Sequence, residues 1–145
     1  MDLYINLTGT WVGHFFFGKE YGEQLHGEKV KFMLFLSQRN FEFEGTAVDY
    51  EGIGSDFQKA SIKGFIKNDF ISFIKQYPVF YQFDEHNNTI QNDLKPSPEI
   101  HYTGYYDQAK KMFFGKWEMV IYKESDPFGD MEYLNTGSWE MKKEE

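Results

Sequence analysis

The sequence has no cysteine, only 4 prolines among 145 residues, and fewer basic residues (15) than acidic ones (23). Each shortage closes off a class of chemistry. Without cysteine there is no disulfide framework, no thiolate nucleophile and no thiolate metal site. A formal net charge of −8 runs against nucleic-acid binding, which needs a basic face to neutralise phosphates. No uninterrupted apolar run approaches the roughly 20 residues of a membrane-spanning helix, and Met1-Asp2-Leu3-Tyr4-Ile5-Asn6-Leu7 lacks the basic start and apolar core of a secretory signal. The chain therefore reads as soluble and cytoplasmic, with no membrane span.

Catalytic and metal motifs are scarce as well. The four histidines, His14, His26, His86 and His101, show no metal-ligand spacing. No nucleophile elbow, phosphate-cradling loop or dinucleotide fingerprint occurs. The run Asp49-Tyr50-Glu51-Gly52-Ile53-Gly54-Ser55-Asp56 has carboxylates but not the ligand spacing of an EF-hand. No cofactor and no metal is expected.

Aromatic residues are abundant, at 20% of the chain, with 16 Phe and 10 Tyr. Rings and branched side chains suit a half-buried pleated surface. Period-two alternation is the dominant local pattern, as in Phe41-Glu42-Phe43-Glu44-Gly45-Thr46-Ala47 and Ala60-Ser61-Ile62-Lys63-Gly64-Phe65-Ile66-Lys67, and it marks strands with one face buried. The same test predicts eight strands, near 9–17, 29–37, 41–48, 58–67, 69–77, 99–107, 111–122 and 132–142. No window of eleven residues carries a helical apolar stripe.

Three connections are short enough for hairpins: 38–40, residue 68, and 108–110. Four are longer: 18–28, 49–57, 78–98 and 123–131. In an up-and-down meander all the short turns fall at one end and all the long loops at the other, a closed base and an elaborated mouth. Pairing the last strand with the first removes both sheet edges. The expected fold is all-β, a single eight-stranded antiparallel up-and-down barrel domain over 1–145, lipocalin-like; a β-sandwich is the alternative, although it wants longer crossovers.

Gly9-Thr10-Trp11, Gly104-Tyr105-Tyr106, Gly115-Lys116-Trp117 and Gly137-Ser138-Trp139 repeat one short pattern. A glycine and the ring two positions on share a face, so a gap left by one is filled by a ring from its neighbour, a packing signature that suits a barrel interior. Leu7-Thr8-Gly9-Thr10-Trp11-Val12-Gly13 resembles the first strand of the calycin superfamily, in which lipocalins carry Gly-x-Trp and avidins and nitrobindin-like haem barrels carry Gly-Thr-Trp. Thr103-Gly104-Tyr105-Tyr106-Asp107 resembles an avidin strand ending. The resemblance covers about a dozen residues and implies the fold, which hosts many functions. Avidins typically place an Asn that contacts the biotin ureido group two residues after that Trp; Gly13 stands there, which argues against biotin. His101 is only loosely comparable with the axial haem ligand of nitrobindin-like barrels. The signal peptide and disulfide usual in secreted lipocalins have no counterpart.

With glycine and tryptophan positions facing inward, Trp11, Leu36, Phe41, Ile66, Tyr106, Phe113 and Trp139 are expected toward the base. Phe15, Phe17, Phe32, Gln58, Tyr102, Met119, Tyr133 and Asn135 are expected toward the mouth, as the ligand-binding set. Apolar walls with a few orienting polar groups make a small-molecule site, and an eight-stranded barrel either fills with side chains or holds one small ligand. Strand 69–77 is open in register, because Phe70-Ser72-Ile74 and Ile71-Phe73-Lys75 are both suited to the interior.

The four long connections carry net charges of −2, −3, −2 and −2, so the mouth bears essentially all the negative charge. Such a field draws a cation and disfavours an anion. The leading reading is a carrier or sensor for an apolar or aromatic ligand, neutral or cationic. The alternatives are an interaction module with a solid barrel and acidic loops for a basic protein partner, and a small enzyme using Asp49 or Glu51 with Tyr102 or Tyr133. Phe16, Phe35 and Phe65 are suited to an outer face of a homo-oligomer.

Overall fold

The computed structural model describes residues 5–18, 27–49, 59–78, 80–83, 89–92, 99–126 and 129–144, with 80–83, 89–92, 120–126 and 129–135 described by their backbone alone. Ten strands follow one another: β1 (Gly9–Phe17), β2 (Lys29–Arg39), β3 (Glu42–Asp49), β4 (Ala60–Lys67), β5 (Phe70–Gln76), β6 (Phe80–Phe83), β7 (Thr89–Asn92), β8 (Ile100–Asp107), β9 (Met112–Asp126) and β10 (Gly129–Lys143). Eight of them close into an antiparallel barrel in the order β1-β10-β9-β8-β5-β4-β3-β2, and β6 and β7 form a separate hairpin inside the connection from β5 to β8. Closure runs through β1 and β10, with Trp11 opposite Lys143 and Phe17 opposite Gly137. The sandwich alternative is thereby excluded. Among the described residues no helix is long and apolar enough to cross a membrane.

The turns divide the two ends as their lengths imply. Asn40 and Asn68, with φ of 59° and 54°, sit in the tight β2–β3 and β4–β5 turns, where asparagine tolerates the left-handed region. The segment before β1 lies across this end. Leu7 is fully buried, its N–H donates to Gln38 Oε1 at 2.7 Å, and its carbonyl accepts from Trp11 Nε1 at 2.8 Å. The base is closed by side chains: Trp11 packs 5.4 Å from Phe113, and Phe113 4.9 Å from Tyr106.

Two expectations need correction. The 123–131 connection is mostly strand, because β9 and β10 run on as a two-stranded ribbon with Met131 opposite Lys123; β8 ends its pairing at Met119, so residues beyond it on β9 pair with β10 alone. Phe41, expected inside the base, is 65% exposed. It follows Asn40 in the turn, and β3 starts one residue later, so Phe43 takes the first inward place. Phe35 and Phe65 face solvent as expected, along with Tyr105 and Phe114, and Phe16 is half-buried.

The glycine and tryptophan repeat is a set of fitted pairs. A Cβ on Gly104 would come within 2.8 Å of Trp139 Cζ2 and 2.3 Å of the Phe114 carbonyl, and one on Gly137 within 2.4 Å of Trp117 Nε1 and 2.0 Å of the Phe16 carbonyl. The indoles are held there by hydrogen bonds. Trp139 Nε1 donates to the carbonyls of Thr103 and Lys116, each at 3.1 Å, and Trp117 Nε1 to that of Phe16 at 3.1 Å. Close-packed cores resist added volume, so Gly104→Ala and Gly137→Ala are each expected to lower stability by about 1–3 kcal/mol. Thermal melts check this, and unchanged midpoints would show that ring and strand yield freely.

Candidate functional site

The mouth half of the barrel interior is where the sequence placed its ligand-binding set. Alternation along β1 and β2 turns Phe15, Phe17 and Phe32 inward, and all three are buried, as is Tyr102 on β8. Met119 is half-buried and packs against this core. Phe15 lies 6.3 Å from Phe32, nearly parallel, and edge-on to Phe17 at 5.6 Å and Trp117 at 6.2 Å. Tyr102 stacks on Phe73 at 4.7 Å, and both meet Trp139 edge-on at 5.7 Å and 5.5 Å. Such pairs add about 0.5–1.5 kcal/mol each beyond the area they bury. Gln58 lies outside the described residues; of Tyr133 and Asn135 the structure describes the backbone, opposite Ile121 and Met119.

One group of residues in this half is not apolar. Lys75 on β5 and Asp49 at the end of β3 are buried, with side chains 2% and 1% exposed, and Lys75 Nζ donates to Asp49 Oδ1 at 2.8 Å. The Tyr77 hydroxyl donates to the other carboxylate oxygen of Asp49. Rings surround the ammonium: its Nζ lies 4.7 Å from the centroid of Phe15, 4.9 Å from Tyr77 and 5.7 Å from Phe32. Each is within the range over which a ring face attracts a cation.

Local sequence explains how charges from non-adjacent strands meet. On β3 the inward residues run Phe43, Gly45, Ala47, Asp49, and on β5 they run Ile71, Phe73, Lys75. The second of the two registers open to β5 is thus the one adopted. β4 lies between, and its inward residue at this level is Ala60, which pairs with Ala47 and precedes Ser61, the partner of Gln76. A methyl group there leaves the carboxylate room to reach across to Lys75 and Tyr77. All three residues sit at the last turn of pleat before the long connections, facing the mouth.

Asp49 was among the carboxylates the sequence offered for chemistry at the mouth, but the partners offered with it were Tyr102 and Tyr133. Its partners are the buried Lys75 and the half-buried Tyr77. A usable signal was present: Asp49 and Lys75 are charges of opposite sign, each ending an otherwise apolar inward series. Two hollows among the described residues lie elsewhere, on the outer wall. One, of about 510 Å³, is lined by His101, Lys116, Glu118 and Ser138 among others, and one of about 780 Å³ runs past Phe35, Gly45 and Lys63.

The sequence matches no protein-family model and no curated protein. Among solved structures, a low-affinity mutant of shwanavidin superposes with a TM-score of 0.51 at 12% identity, covering 96% of this chain and 98% of that chain. Rhizavidin superposes with a TM-score of 0.47, also at 12% identity, covering 92% of this chain and 84% of that one. The shwanavidin superposition and the closed eight-stranded topology show an avidin-like barrel fold. At this identity the likeness shows the fold alone. At position 13, where the sequence already argued against biotin, a Cβ would fall 2.0 Å from the Glu140 carbonyl, so the barrel wall leaves no space for a side chain.

Proposed function

We propose that the chain is a small-molecule-binding protein that holds an apolar or aromatic ligand, neutral or cationic, in the mouth half of its barrel. The observation that carries this reading is the buried Lys75–Asp49 pair, joined by the half-buried Tyr77, among the rings of Phe15 and Phe32. Taking two charges out of water costs several kcal/mol per ion before their attraction is counted. Among the described residues, the rest of the buried core is aliphatic and aromatic. A polar cluster kept at that cost, at the end of the barrel that opens to long connections, is the kind of group that orients a ligand against apolar walls.

Charge narrows the ligand class. Asp49 compensates Lys75, so the inner wall presents a dipole and not a net positive charge to an anion. The acidic connections repel anions further. A flat apolar body with one polar end suits this arrangement, with Phe15, Phe17, Phe32 and Tyr102 as walls and Met119 at the edge.

Trp117, packed 6.2 Å from Phe15 and 6.5 Å from Phe17, should report occupancy. Titration with benzyl alcohol and phenyltrimethylammonium is expected to quench Trp117 fluorescence, with benzoate much weaker, and the response is expected to shrink in Trp117→Phe. Saturation at 100 times Kd would add about 2.7 kcal/mol to stability, an increase visible as a rise in Tm. Absence of both quenching and a Tm shift across the neutral and cationic compounds would overturn the reading.

A further inference from the structure

We infer that Lys75 is a covalent attachment site for an aldehyde, which it captures as a Schiff base with Asp49 as the counter-ion. The inference rests on the mouth-half binding site proposed above and specifies the chemistry of its occupant. Among the described residues Lys75 is the one buried lysine, and the other lysines whose side chains are described are exposed. A lysine amine buried among apolar groups forms Schiff bases with carbonyl compounds, and a carboxylate beside it can take up the proton that the amine must lose to attack. Here the acceptor is Asp49 Oδ1, 2.8 Å from Nζ, and the Tyr77 hydroxyl fixes the carboxylate through its second oxygen.

The reaction balances without an added reagent. One proton passes from Nζ to Asp49, and the free amine attacks the aldehyde carbon. The carbonyl oxygen takes up protons and leaves as water as the C=N bond forms, and the proton held by Asp49 ends on the imine nitrogen. The sum is an aldehyde plus an amine giving an imine plus water, with nothing oxidised or reduced. The resulting iminium occupies the place of the present ammonium, so the same carboxylate and the same ring faces of Phe15, Tyr77 and Phe32, 4.7–5.7 Å away, stabilise its charge. The burial of Lys75 among rings also limits the access of water to the imine. A conjugated or aromatic aldehyde fits best, because its plane can continue the stacking of the interior.

The test uses the purified full chain with cinnamaldehyde, reduction by sodium cyanoborohydride, and peptide mapping by mass spectrometry. The reduced adduct is expected on Lys75 at about tenfold or more over any exposed lysine, and its yield is expected to fall sharply in Asp49→Asn. Cinnamyl alcohol, which has no carbonyl group, is titrated in parallel by Trp117 fluorescence. Alcohol binding without a Lys75 adduct overturns the covalent proposal and leaves the binding site standing. Labelling confined to exposed lysines, or no labelling at all, overturns it as well. If Asp49→Asn does not fold, the distribution of label over the lysines of the unaltered chain decides the matter.

Discussion

Replacing Asp49 by Leu should lower stability by about 3–5 kcal/mol, because the Lys75 ammonium is then left in the barrel interior without a counter-charge. Lys75→Met should cost a similar amount by stranding Asp49. For a chain of this length such a loss lowers Tm by about 10–15 °C. The double variant Asp49→Leu/Lys75→Met is expected to recover most of it, since a buried ion pair replaced by apolar residues of similar volume is often neutral or stabilising. Tyr77 would still lose its acceptor, a deficit of about 1 kcal/mol. Urea denaturation of the four proteins closes the cycle. Additive losses in the double variant would show that the two charges do not act as a pair.

The same double variant separates stability from function. If the pair is retained for the ligand, a barrel carrying both substitutions stays folded and stops responding to the compounds that quench Trp117. A double variant that still binds them with unchanged affinity would remove the cluster from the site and leave only the aromatic walls.

Trp139→Ala should be the most damaging single change in the apolar interior, at about 3–5 kcal/mol. The indole is almost fully buried, lies edge-on to Phe73 and Tyr102, and occupies the space that Gly104 leaves open. Truncation opens a cavity at the level where the filled base meets the mouth half, and it also removes the donor shared by the Thr103 and Lys116 carbonyls. Trp139→Phe keeps much of the volume and loses that donor, so its smaller deficit, about 1–2 kcal/mol, measures the hydrogen bonds and the residual void together. A loss below about 1 kcal/mol for Trp139→Ala would mean that the barrel collapses onto the gap.

Much of this molecule was legible in its sequence because a strand has a period of two. That period alone turned Phe15, Phe17, Phe32 and Tyr102 inward and Phe35 and Phe65 outward, and the lengths of the connections separated a base from a mouth. The Gly-x-Trp repeat announced the fitted pairs of Gly104 with Trp139 and Gly137 with Trp117, although which tryptophan fills which gap depends on strand register. Residues at turns were less readable: Phe41 continued an alternating run and still left the core, because the β2–β3 turn took it.

The register of β5 was decided by tertiary structure. Both of its faces carry apolar residues, so hydrophobic patterning could not choose between Ile74 and Lys75 as the inward residue. Lys75 turns in because Asp49, 26 residues earlier in the chain, is brought to the same height by closure of the barrel, with Ala60 leaving space between them. The sequence alone determined which end of the barrel to search and that its walls are rings. The polar cluster that gives the proposed site a chemistry came only from folding, because a buried charge is tolerable only beside its partner, and that partner lies two strands away.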